Sequence, residues 1–73
     1  LLEGPVGLAI DNYDNIYVAN FDGNNILKIT KGGNVSVFME NISNPYFLYI
    51  KDDVLYISEQ GNNVVVKYNL AAR

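Results

Sequence analysis

Apolar residues in this chain fall in short clusters rich in Val, Ile, Leu and Tyr, each closed off by Gly, Asn, Asp or Pro. No cluster sustains the period of an amphipathic helix, whereas short β-branched runs between turn formers are the pattern of strands. Strands are therefore predicted near Gly7–Asp11, Ile16–Asn20, Ile26–Thr30 and Val35–Met39, and again near Phe47–Lys51, Val54–Ser58 and Val64–Tyr68. Asp11–Asn15, Thr30–Asn34 and Lys51–Asp53 are the predicted tight turns, since Asn and Gly accept the positive φ that hairpin loops require. Ile16-Tyr17-Val18-Ala19 and Leu55-Tyr56-Ile57 are apolar at consecutive positions and do not alternate as strands with one wet face do. Both faces of such strands need cover.

The second half of the chain repeats the first. Pro5–Ile10 aligns with Pro45–Ile50, Asn15–Asn20 with Val54–Glu59, and Asn24–Thr30 with Asn63–Asn69. The offset is about 40 residues before Tyr13 and about 39 after it, which places a one-residue change inside the turn Asp11–Asn15. A period of that size marks repeat architectures, in which each unit buries its core only against the next. Four short strands per period, covered on both faces, describe the blades of a β-propeller. A flat sandwich also covers some strands twice, but it does not call for a four-strand repeat with matched turns and ranks second.

The expected fold is all-β: a fragment of one β-propeller domain with about two four-stranded antiparallel blades. The first blade repeat is 5–43; the second, 44–73, lacks its last strand. Leu1–Leu2 read as the end of the fourth strand of a preceding blade. The chain opens on Leu, in mid-repeat, and is expected to be an excerpt or a processed piece of something longer. Closed propellers need about four to eight blades. Further blades of the same protein are the expected partners of its open faces, with other copies of the chain as the second choice.

The motifs Gly4-Pro5-Val6-Gly7-Leu8-Ala9-Ile10-Asp11, Asn15–Asn20 and Gly23–Ile29, with Asn44-Pro45-Tyr46 and Leu55–Asn63 in the second copy, carry a family likeness. They resemble the repeats of NHL-type six-bladed propellers and of the related streptogramin-lyase and SMP-30/gluconolactonase propellers. The resemblance spans nearly the whole chain and implies a six-bladed ring. WD40 repeats are disfavoured by the lack of Trp and His, and kelch repeats by a Gly-Gly pair (Gly32-Gly33) in one copy only. One position departs from the pattern: where Gly7 stands in the first copy the second has Phe47, a bulky side chain close to the central channel.

Composition narrows the chemistry. The formal charge of −3, with only Lys28, Lys31, Lys51, Lys67 and Arg73 basic and scattered, argues against nucleic-acid partners. No apolar run approaches a membrane span, so no membrane partner is expected. Without Cys there is no disulfide or thiolate metal site. Without His, Ser36, Ser43 and Ser58 have no partner for a Ser-His nucleophile within this segment.

The resemblance implies where a site lies. In such propellers the loops leading into the innermost strand and those joining the second and third strands share one rim, which with the channel mouth holds the ligand. Here these loops are Gly4-Pro5, Asn44-Pro45-Tyr46, Asn20–Asn25 and Glu59–Asn63. The candidate ligand-binding residues are Asn20, Asp22, Tyr46, Glu59 and Asn62. The stretch Ile57-Ser58-Glu59-Gln60-Gly61 is similar to one in streptogramin-lyase-like repeats, where an acidic residue helps hold a divalent metal. Glu59, with Asn20 at the equivalent place, is thus the candidate ligand set for Ca²⁺ or Mg²⁺. The competing reading, which is preferred, makes Glu59 a solvated loop residue or one that bonds neighbouring backbone amides. Asp11–Asn15 and Asp22–Asn25 lack EF-hand spacing and read as turns. Asn34-Val35-Ser36 and Asn41-Ile42-Ser43 match the glycosylation sequon, a chance event in so Asn-rich a chain.

The expected function is a binding or scaffold module whose rim loops and channel mouth take a protein or small-molecule ligand. The alternative is a metal-assisted lyase or lactonase of the streptogramin-lyase or SMP-30 type, its site completed by other blades. A third reading is a self-associating piece that closes a ring from several chains.

Overall fold

The computed structural model describes residues 3–71. Strands β1 (Pro5–Ile10), β2 (Ile16–Asn20), β3 (Asn25–Ile29) and β4 (Val35–Glu40) form one antiparallel sheet in that order. Strands β5 (Pro45–Lys51), β6 (Val54–Glu59) and β7 (Val64–Asn69) form a second. The two sheets stack face to face as neighbouring blades of a β-propeller, the class expected from the repeat. The reading of Leu1–Leu2 as a strand end lies outside the described residues.

Turn chemistry explains why the strands stop where they do. Asp52 and Asp53 both have positive φ, 53° and 62°, which makes the Lys51–Val54 connection a two-residue hairpin of the primed kind. Between β1 and β2 the loop is longer, closing at the Ile10–Ile16 pair. There the Asp11 carboxylate accepts the backbone N–H groups of Tyr13 (2.8 Å) and Asn15 (2.9 Å), and Asp14 takes the left-handed conformation. The one-residue change in the repeat offset falls in this turn. At Thr30–Asn34 the reversal is made by Gly33, at φ 91°, donating to the Thr30 carbonyl.

Both innermost strands begin two residues earlier than the sequence pattern predicts. Pro5 and Pro45 pair with Asn20 and Glu59, and a bulge follows in each strand before the regular ladder resumes. Proline has no N–H to give a ladder, so the first position of a strand beside a bulge suits it.

The core lies between the sheets. Tyr17, Ala19 and Ile26 of the first meet Leu48, Leu55 and Ile57 of the second, with Ile42 and Leu70 closing the two ends. Each large side chain so buried contributes about 1.5–3 kcal/mol. Phe38, on a bulge in β4, sets its ring edge-on to Tyr17 (5.0 Å) and Tyr68 (5.1 Å), bridging the blades. Gly7 sits against β5: a Cβ there would collide with the Tyr46 carbonyl oxygen. Two-sided cover holds for β2, which is buried on both faces. In β6 burial alternates, because its side away from the first sheet is only half covered.

Candidate functional site

The rim predicted to carry the site is held together by a belt of backbone hydrogen bonds. Ahead of β1, the carbonyls of Glu3 and Gly4 accept from Asp22 (2.9 Å) and Phe21 (3.0 Å) in the β2–β3 loop. Ahead of β5, Ser43 and Asn44 do the same for Gly61 (2.9 Å) and Gln60 (3.1 Å) in the β6–β7 loop. Each blade thus ties its lead-in loop to its second loop by the same pair of bonds.

Asn20 and Glu59 complete that tie from the ends of β2 and β6. Asn20 is 1% exposed; its Oδ1 accepts the Glu3 N–H and its Nδ2 donates to Asn25 Oδ1 at 2.8 Å. Glu59 is 6% exposed; its Oε2 accepts the Ser43 N–H at 2.7 Å and the Asn62 side-chain amide at 3.0 Å. Both are near-buried acceptors for the backbone of their own lead-in loop, and Asn62 is turned toward Glu59. Among the described residues no three acidic, His or Cys side chains gather at one point.

A second set of bonds joins the blades. Asn24, at φ 56°, accepts the Ile42 N–H at its carbonyl (3.1 Å) and the Asn44 N–H at its Oδ1 (3.0 Å). The Asn44 amide reaches back to the Phe21 carbonyl at 3.3 Å. Asn24 and Asn44 were not singled out by sequence reasoning. The visible signal is the pair of equivalent left-handed Asn positions, Asn24 and Asn63, in the two copies.

Of the five candidates Asp22, Tyr46 and Asn62 are exposed, and of these Asn62 is held by its bond to Glu59. The Tyr46 ring stands edge-on to the half-buried Phe21, with centroids 6.5 Å apart, so the two blades share one aromatic pair, with Asp22 the next residue along the loop from Phe21. A polar cavity of about 430 Å³, lined by Gly23, Asn24, Asn25, Glu40 and Asn41, opens on the same rim.

The opposite rim holds a different kind of group. Burial alone raises the pKa of the Asp11 carboxyl, but hydrogen bonds outweigh it and hold the carboxyl below the ordinary aspartate value of 3.8. They come from the Asn15 side chain, the Asn15 and Tyr13 backbones, and the Tyr17 hydroxyl at 2.9 Å. Asp11 thus fixes the turn and anchors the main core tyrosine.

The two stacked sheets have the fold of part of a streptogramin-lyase-like β-propeller. The chain is similar to two crystal structures of virginiamycin B lyase from Staphylococcus aureus, at 25% identity over 97% of its length. One is the selenomethionine form (TM-score 0.69), the other the catalytically inactive H270A form with quinupristin (TM-score 0.70). The chain spans 28% of the length of those proteins. No family model and no curated protein matches it.

Proposed function

We propose that these two blades belong to a propeller that binds a protein or small-molecule ligand at the rim carrying Phe21, Asp22 and Tyr46. The observation that supports it is the hydrogen-bonded belt. It makes the lead-in and second loops rigid while leaving the Tyr46 ring, backed by the half-buried Phe21, and the Asp22 carboxylate at the surface. Preorganised loops with exposed aromatic groups are what binding rims are built from, since little ordering entropy is lost on contact. The NHL-like and gluconolactonase-like features of the repeats are compatible with such a rim.

The likeness to virginiamycin B lyase favours one second reading, a metal-assisted lyase whose remaining groups come from other blades. A hard cation would then draw on Glu59 Oε1, because Oε2 already serves the Ser43 N–H and the Asn62 amide. Two measurements separate the readings. Chemical-shift mapping with quinupristin and a panel of short peptides should perturb Phe21, Asp22 and Tyr46 without any covalent change in the ligand. Shifts confined to Tyr13, Lys31 and Asp52 on the opposite rim would end the binding proposal. A covalently altered quinupristin product, together with a rise in melting temperature on adding Mg²⁺ or Ca²⁺, would instead favour the lyase.

A further inference from the structure

The face of the second sheet that turns away from the first is apolar and open. Phe47 is 60% exposed and Tyr49 50%, with Tyr56 and Val65 beside them. It corresponds, position by position, to the face that the first sheet already buries inside the chain. Tyr17 has its counterpart in Tyr56, Ala19 in Ser58 and Ile26 in Val65, so β2 and β3 are matched closely by β6 and β7. The innermost strands are not matched. Where β1 offers Gly7 and Ala9 to its neighbour, β5 offers Phe47 and Tyr49.

That difference decides what can sit there. Across the covered interface Gly7 and Ala9 meet a blade bearing Leu48 and Ile50, and the fit is so close that Gly7 has no room even for a Cβ. The ladder is also altered locally, since the Phe47 N–H donates to the Ser58 hydroxyl (2.7 Å), and Phe47 forms no ladder pair where Gly7 pairs with Ala19. The strand spacing found between β1 and β5 therefore cannot recur beyond β5. A second copy of the chain would bring up the exposed face of the first sheet, which presents Leu8 and Ile10 at the places of Leu48 and Ile50. Two large aliphatic groups would then meet two aromatic rings in a layer that accommodates one large residue per pair, and overpacked layers do not close.

We infer that the open face of the second sheet receives a blade of different sequence from the first. It is an antiparallel sheet with an apolar face and small side chains at the two innermost-strand positions where the first sheet carries Leu8 and Ile10. Phe47 and Tyr49 select for that blade and against self-closure of the chain into a ring.

The test is sedimentation equilibrium on the 73-residue chain, wild type beside Leu8→Ala/Ile10→Ala and Phe47→Gly/Tyr49→Ala, with circular dichroism melts to show that each folds. The first variant turns the chain's own first sheet into the small-residue blade that the face requires. The second restores the Gly and Ala of the covered interface. The wild type should form no discrete closed oligomer, and each folded variant should self-associate at least about tenfold more tightly. Simple apolar stickiness predicts the reverse, because both variants remove exposed hydrophobic surface. If one variant fails to fold, the other is read alone. Tightening in a folded variant supports the inference. A closed oligomer of the wild type, or folded variants that associate no more tightly than it, overturns it.

Discussion

Asp11 shows how much one side chain can organise. Its carboxylate serves two backbone amides, an Asn amide and the hydroxyl of the fully buried Tyr17, so it fixes a turn and a core residue together. Asp11→Ala should destabilise the fold by about 1–3 kcal/mol in urea denaturation, because partly buried donors lose their acceptor. The sign of its pH dependence follows from its lowered pKa. The charged form is favoured in the folded state, so its stabilisation is present above pH 3.8, the unfolded value, and is lost as pH falls from there through the folded pKa. A pH series of denaturation curves should show the wild type losing this increment in acid while Asp11→Ala, which never had it, shows a flatter profile. None of this was readable from Asp11–Asn15 beyond the presence of a turn, since the Tyr17 contact depends on which way a strand neighbour points. Asn20 and Glu59 were legible as equivalent positions. Their partners, the Glu3 and Ser43 amides, lie far along the chain, where spacing alone gives no guide.

The elements were the most legible part. Short β-branched clusters between Asn, Asp and Gly locate all seven strands among the described residues, and the repeat assigns four to one sheet and three to the other. What the pattern did not show was the early start of β1 and β5, because a bulge breaks alternation and Pro obscures the strand signal. The contact between these strands rests on Gly7. Gly7→Ala should cost about 1–3 kcal/mol, since the added carbon meets a backbone carbonyl that cannot swing aside. Thermal melts check this, and an unchanged melting temperature would mean that the two innermost strands slide apart freely.

At the scale of the whole molecule, the chain carries one blade-to-blade interface and two outer faces with exposed apolar side chains on their innermost strands, Leu8 and Ile10 on one side and Phe47 and Tyr49 on the other. Small sheets are rarely stable with such faces in water. The folded 73-residue chain should accordingly bind a hydrophobic dye such as ANS while keeping cooperative unfolding and near-ultraviolet dichroism from its tyrosines. Absence of dye binding by the folded chain would show that these faces are closed by a rearrangement not described above. Sequence reasoning reached the need for two-sided cover through the unbroken apolar runs in β2 and β6. The asymmetry between the two faces depends on side-chain volumes compared across a register, which becomes visible only once the sheets are aligned.

The Asn24 linkage has a practical consequence for engineering. Its carbonyl and its side chain are both held by the segment that precedes β5, so the shape of one blade's loop is dictated by its neighbour's chain. Grafting a foreign peptide between β2 and β3 alone would strand the Ile42 and Asn44 amides. Transplants onto this scaffold should therefore be made as adjoining pairs, with the donor's crossover stretch carried along.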